Sequence, residues 1–379
     1  MTERGGDLTN FKEEFVDREG IQFNCAGLTP LPTSVALEIS RVVTVLQTGG
    51  ALADPEMLRI LSTARESIAQ FLDADLSQVA FAPNCATALS QVALGFPLQS
   101  QDQVVTIDQE YSSSFYPWKV ACDRSGAKLI TVQSTQGRVT ADDVIAVVKS
   151  GVKLVGVSWV QFQTGSILDL KRLGDHCRSV GAHLIVDAIQ GLGQLPFSFR
   201  NLPVDFVASG SHKWMCGPLG QGFFAIKPEL MEKILPVAVG GGTYNRFGTF
   251  ADPDAPMEVT AKRFEAGGYS FLTLAGLGAA VKVLQEAGIQ NIAAEISRLT
   301  RLLRAGLTER DVKLATPVDQ AGGVTSFELP LEWEAKLMAR AREEQITLAK
   351  RGPYVRTAIH AFSNSDEIDL FLNVLDNTR

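Results

Sequence analysis

The sequence predicts an α/β fold, a mostly parallel sheet flanked by helices and followed by a small α+β unit. Three observations predict it. Short apolar runs of strand character alternate with stretches of helical period through the first two thirds of the chain, and strands joined by helices imply parallel pairing with right-handed crossovers. From about Phe271 the pattern changes to two long helical segments followed by short strands. The Gly-rich stretch Ala266-Gly267-Gly268 marks the break. We assign residues 21–265 to a large α/β domain, and residues 1–20 with 266–379 to a small α+β domain.

The elements follow in order. From Pro55 to Phe71, Met57, Leu58, Leu61, Ala64, Ile68 and Phe71 recur at helical spacing. Val79 to Ala82 reads as a strand, and Asn84 as the N-cap of the helix after it. Further strands are expected at Val104 to Ile107, Lys128 to Val132, Lys153 to Val157, Leu184 to Val186, Val204 to Ala208 and Gly222 to Ile226. Thr140-Ala141-Asp142-Asp143 opens a helix as a capping box. Beyond the break come helices over Phe271 to Glu286 and Ile289 to Leu307, then strands over Val324 to Leu329 and Tyr354 to Ile359. A last helix is capped by Asn364 with Glu367 three residues on. No internal repeat or low-complexity tract stands out.

Composition bounds the function. The chain has 379 residues, enough for two domains and a full core, with 45% hydrophobic and 20% charged residues. A net charge of -7 argues against a dedicated nucleic-acid binder, which shows a basic face. No run of 18 apolar residues suggests a membrane span. Met1 to Asp7 lacks the apolar core of a signal peptide, so a cytoplasmic location is the default expectation. The five cysteines, Cys25, Cys85, Cys122, Cys177 and Cys216, show no C-x-x-C or zinc-type spacing and are expected to be buried free thiols.

The chemistry concentrates in two strand ends. Ser211-His212-Lys213-Trp214 follows the apolar run Val204 to Ala208 and is closed by the glycine-rich Gly217 to Gly222. A lysine sunk at a strand end loses part of its charge preference and becomes a nucleophile towards a carbonyl. A lysine whose head reaches back to water satisfies the same tetrapeptide. Upstream, His183 to Val186 ends in Asp187, with Gln190 and Gly191 just beyond. Residues past the carboxyl ends of strands in an open α/β sheet face the ligand crevice. A solvated strand terminus accounts for Asp187 alone; a carboxylate partner for a pyridine nitrogen accounts for Asp187 and Lys213 together.

With these segments in view, the chain resembles the class V aminotransferases, fold-type I pyridoxal-phosphate enzymes that include cysteine desulfurases and isopenicillin N epimerase-like proteins. The matching segments run from Phe23-Asn24-Cys25-Ala26-Gly27 to Val355-Arg356-Thr357-Ala358-Ile359-His360, in the family's order. The resemblance implies that Lys213 bonds covalently to the cofactor aldehyde with His212 beside it. It implies that Asp187 pairs with the pyridinium nitrogen, Gln190 reaches the ring hydroxyl and Tyr111 stacks on the ring. Arg356 would clamp the substrate carboxylate, and the protein would be a homodimer. Arg356 is also compatible with a surface salt bridge when it is read by itself.

Three departures stand out. At the phosphate site, Asn84-Cys85-Ala86-Thr87 puts Ala86 where the family has a hydroxyl. The backbone N–H groups of Cys85 and Ala86 at the helix start would then hold the phosphate, helped by the hydroxyl of Thr87 or Ser211. Helices begin this way in proteins of every kind, and fewer hydroxyls imply a weaker grip. In Phe264-Glu265-Ala266-Gly267-Gly268, Gly268 stands where a partner subunit's Thr often adds a hydroxyl. In Trp159 to Gly165, Phe162 stands where many relatives carry Asn; core packing accounts for it, and Gln161 or Gln163 is available to replace that amide.

Expected activity follows from the set. An α-amino acid binds through Arg356, and Lys213 moves a proton at Cα. Transamination, with a keto acid as second substrate, is placed first; lyase or epimerase chemistry on the same scaffold and a non-catalytic ligand-binding protein are the alternatives. Desulfuration by a C-terminal cysteine loop is disfavoured, since no cysteine follows Cys216. A nucleotide-binding reading fails at Gly191-Leu192-Gly193-Gln194-Leu195-Pro196, which lacks the last glycine of G-x-G-x-x-G.

Overall fold

In the computed structural model, which describes residues 7–245, 252–317, 319–320 and 322–379, seven strands form one sheet. They are β1 (Val79–Ala82), β2 (Gln103–Ile107), β3 (Lys128–Val132), β4 (Val152–Ser158), β5 (His183–Asp187), β6 (Phe206–Gly210) and β7 (Gly222–Ile226). Their order is β1-β7-β6-β5-β4-β2-β3. β7 runs antiparallel to both neighbours, and the other pairings are parallel. Parallel strands covered on both faces read as continuous apolar runs. Successive residues therefore feed opposite cores: Val155, Val186 and Val207 join one, Leu154, Ile185 and Phe206 the other. The sixth strand starts two residues later than expected. Asp205 spends its carboxylate on the backbone N–H of Leu184 at 2.8 Å instead of continuing outward as a strand residue.

A second sheet is antiparallel and holds β8 (Lys313–Leu314), β9 (Val324–Glu328), β10 (Ala349–Arg351) and β11 (Tyr354–Ala358) in the order β10-β11-β9-β8. Its core joins Phe327 and Val355 to Leu303 and Phe371 of the flanking helices. Ile21 and Phe23 belong to this core, and Asn24 bridges to Ala358, so the segment just after residue 20 packs with the small sheet. The Phe271–Ala287 helix goes the other way. Its Leu274, Leu277 and Val281 share the core of the large sheet. Composition placed both segments in the opposite unit, because a glycine-rich break marks a change of period and not a change of packing partner. Residues 1–6, on which the reading of the N-terminus rests, lie outside the described residues.

Asn84 caps the Cys85–Gly95 helix by accepting from the Thr87 N–H at 2.8 Å, as its sequence position predicts. The capping boxes at Thr140 with Asp143 and at Asn364 with Glu367 form as well. The helical stretch from Thr33 to Leu72 meets the length and mean apolarity of a membrane span. It nevertheless carries Glu38, Arg41, Glu56 and Arg59, which pair with one another along its exposed side.

Candidate active site

The carboxyl ends of β4, β5 and β6 open into a cavity of about 420 Å³, which brings together Asn84, Cys85, Ala86, Tyr111, Asp187, Gln190, His212, Lys213 and Arg356. Eight of the nine residues assigned to the site from sequence line it, and Ser211 does not. A larger cavity, about 650 Å³, lies between the Thr33–Gly49, Asp54–Leu72 and Phe271–Ala287 helices. It lacks the buried carboxylate and the lysine of lowered pKa that the smaller cavity brings together, so the smaller cavity is the candidate site.

Asp187 ends β5 and is buried. It accepts the Ser114 hydroxyl, the Cys85 thiol at 3.3 Å and the Ile189 N–H at 2.9 Å. A carboxylate offers about four lone-pair positions. Three are used, which leaves one for a cationic ring N–H in the cavity. Burial pushes the Lys213 amine down to about 8, with Asp187 opposing the shift and Arg356 adding to it. Its Nζ lies 5.9 Å from the centre of the Tyr111 ring. Tyr111 is 50% exposed and meets Phe162 edge-on at 5.1 Å, so the two rings form one wall. Burial, with Lys213 beside it, pushes His212 down to about 4. Its imidazole is therefore neutral near pH 7 and no longer an acid.

Arg356 is 1% exposed. One Nη donates to the Phe162 carbonyl at 2.6 Å and the other to Asn24 Oδ1 at 2.9 Å, while Nε is buried without a partner. Burial and the neighbouring Arg351 push its pKa down to about 9. A buried guanidinium with an unused N–H and no carboxylate beside it is stabilised by an entering anion. The surface salt-bridge reading of Arg356 does not survive this placement.

The end of the cavity expected to take the phosphate is lined by backbone. Gly222 on β7 packs against Asn84, where an added Cβ would come within 2.8 Å of the Asn84 carbonyl carbon, so only glycine lets the strand approach the cap this closely. The helix behind Asn84 presents its unpaired first N–H groups at the cavity. The expected hydroxyl help is absent. Thr87 donates to Asn84 Oδ1 at 3.1 Å, and Ser211 is fully buried with its hydroxyl on the Pro218 carbonyl at 2.5 Å. Chain proximity to Lys213 suggested Ser211, but the turn back towards Gly217 points it away from the cavity. Gln190 is held at both ends of its amide, accepting from Trp214 Nε1 at 2.8 Å and donating to the Ala26 carbonyl at 3.0 Å. One amide N–H is left for a ligand.

Sequence reasoning missed Ser114, Asn24, Ser158 and Ser113, the last two of which line the cavity. Asn24 lies in the first matching segment, but its contact with Arg356, like the placement of the three serines, arises only where separate segments meet. All five cysteines are buried, and Cys85, whose thiol is pushed well up by burial and by Asp187, is the one that lines the cavity. Among the described residues no group of three or more potential metal ligands occurs. A carboxylate with one free lone pair, a lysine amine of lowered pKa, an aromatic wall and a helix start fit pyridoxal phosphate.

Comparison with known proteins gives the family. A probable cysteine desulfurase of Pyrococcus abyssi is 29% identical over 333 residues, covering 83% of this chain and 82% of that protein. The isopenicillin N epimerase of Streptomyces clavuligerus is 26% identical over 347 residues, 85% of each chain. The fold superposes on the cystine C–S lyase C-DES, solved with its product cysteine persulfide, with a TM-score of 0.88 at 24% identity, covering 94% of this chain and 98% of that one. The apo cysteine desulfurase of Thermococcus onnurineus gives 0.87 at 25% identity, covering 95% and 94%. The model of the family described as aminotransferase class-V matches residues 38–365. This chain belongs to that family of pyridoxal-phosphate enzymes, with a fold of type I.

Proposed function

We propose that the protein removes the Cα proton of an α-amino acid and transfers its amino group to a keto acid. The observation that supports this most is the presence, in one cavity, of Lys213 with its amine pushed down to about 8 and of Arg356 with a buried, unpartnered N–H. Asp187, Gln190, Tyr111 and the start of the Cys85–Gly95 helix would hold pyridoxal phosphate, which when bound supplies the electron sink that makes a Cα proton removable. Arg356 binds the α-carboxylate and, with Asn24 and the Phe162 carbonyl behind it, fixes the orientation of the Cα–H bond. Lys213 takes the proton and returns it. His212, neutral, orients and takes no proton. Transamination asks for one amine to move the proton, a part that Lys213 can supply.

A second reading is elimination from a sulfur-bearing amino acid. It is favoured by the relatives named as cysteine desulfurases and by the superposition on a cystine C–S lyase. Of the five cysteines Cys85 lines the cavity, and burial and Asp187 push its thiol well up, which disfavours the thiolate that would accept sulfur. The test is proton NMR of the holoprotein with a panel of L-amino acids in deuterium oxide. Loss of the Cα proton signal is expected, and its persistence for every amino acid overturns the reading. Adding a keto acid then divides the outcomes: amino exchange marks transamination, and pyruvate with sulfide or persulfide from cysteine or cystine marks elimination.

A further inference from the structure

Glu110 is a buried acid that the proposed reaction does not use. It stands between β2 and the Ser112–Ser125 helix, immediately before Tyr111. Its carboxylate accepts the Ser158 N–H at 2.7 Å, the Ser158 hydroxyl and Gln161 Nε2 at 3.4 Å. Ser158 is the last residue of β4, where it pairs in register with Asp187. The link therefore ties the C-terminal ends of two strands together under the cavity.

Gln161 opens a tight loop. Its N–H bonds Ser166 O at 2.8 Å, its carbonyl accepts from Gly165 at 2.8 Å, and Val160 bridges to Ile167. The tip of this loop touches both arginines of the cavity. The Phe162 carbonyl receives Arg356, and Gln163 Nε2 donates to the Arg351 carbonyl at 3.4 Å. We propose that Glu110 is a positioning residue for the carboxylate clamp: through Ser158, Gln161 and the 160–167 loop it fixes the carbonyl against which Arg356 is aligned. This rests on the reading of Arg356 as the clamp.

The linkage has two arrangements. With Glu110 ionised, three donors converge on it and Gln161 Oε1 is buried without a partner. A protonated Glu110 loses an acceptor and gains a donor, which a turned Gln161 amide can accept. The loop that carries Phe162 shifts with that amide. Burial raises Glu110 to about 7, opposed by the Ser158 bonds and helped by Asp187. The groups facing it are Asp187 on β5 and Cys85 on the Cys85–Gly95 helix; Lys213, Arg351 on β10 and Arg356 on β11 line the same cavity.

The holoprotein is titrated, by the absorbance of its bound cofactor, with 2-methylalanine and with ethylamine between pH 6 and 8. Neither ligand has both a carboxylate and a Cα proton, so binding is read without turnover. Ethylamine carries no carboxylate, and the ratio of the two affinities isolates the clamp from the titration of Lys213 and of the ligand amine. In the wild type the preference for 2-methylalanine falls as pH drops through about 7. In Glu110→Gln the preference is lower by roughly tenfold, as expected for a lost hydrogen bond to a charged group, and is flat with pH. Gln161→Ala moves the ratio in the same direction and serves if Glu110→Gln does not fold. An unchanged ratio in the variants, or a wild-type ratio that does not move between pH 6 and 8, overturns the inference alone. A wild type that binds neither ligand removes the functional reading and this inference with it.

Discussion

On the proposed reading, Lys213 and Ala86 act on cofactor binding in opposite directions. An amine held near 8 is about one tenth unprotonated at pH 7, far more than an ordinary lysine, and only the unprotonated form attacks an aldehyde. In cofactor-free protein the rate of covalent attachment of pyridoxal phosphate therefore rises as pH passes through about 8, followed by absorbance in a stopped-flow instrument. Lys213→Ala abolishes attachment and lowers turnover by roughly 10²–10⁴-fold. Ala86 leaves the phosphate end to backbone groups, since Thr87 and Ser211 are committed elsewhere. Ala86→Thr should tighten pyridoxal phosphate by about tenfold, one hydrogen bond to a charged oxygen, as measured by equilibrium dialysis. Arg356→Lys keeps the charge and loses the fork, so KM for the amino acid rises by about tenfold or more while cofactor absorbance is unchanged.

Strand ends and helix starts line the cavity, and one close junction is the approach of β7 to Asn84. Gly222→Ala places a Cβ against backbone that cannot move aside. We expect a loss of about 1–3 kcal/mol in chemical denaturation, with a weaker grip on pyridoxal phosphate, because the cap and the helix start are displaced together. This scale also shows what was legible in the sequence. The Asn84 cap, β5 ending in Asp187 and the β11 run with Arg356 follow from local pattern, which composition and period record. Asn24, Ser114 and Glu110 act on Arg356, Asp187 and Ser158 from remote segments, and no local pattern encodes such a meeting. Ser211 was misassigned for the complementary reason. Adjacency in the chain fixes a position, but the turn after β6 decides which way the side chain points.

Across the whole molecule, the helical segment before β1 and the glycine-rich loop after residue 264 are joined by one buried ion pair. Arg65 forks onto Glu265 with two contacts of 2.8 Å, and Glu265 also accepts the Phe81 N–H and the Tyr269 hydroxyl. Removing one partner leaves a buried charge without compensation. Glu265→Ala should cost about 3–5 kcal/mol by denaturant unfolding, and saturating pyridoxal phosphate should restore part of it by mass action.

Asn24 and Arg356 meet across 332 residues of chain. During synthesis the segment from Cys85 to Lys213 emerges before Arg356, which lies far downstream in the chain. The residues that fit the cofactor are thus made before the arginine proposed to grip the amino acid. Ala358, Ala361 and Phe362 also pack into the core of the large sheet, so the part of the site made first is completed only by the part made later.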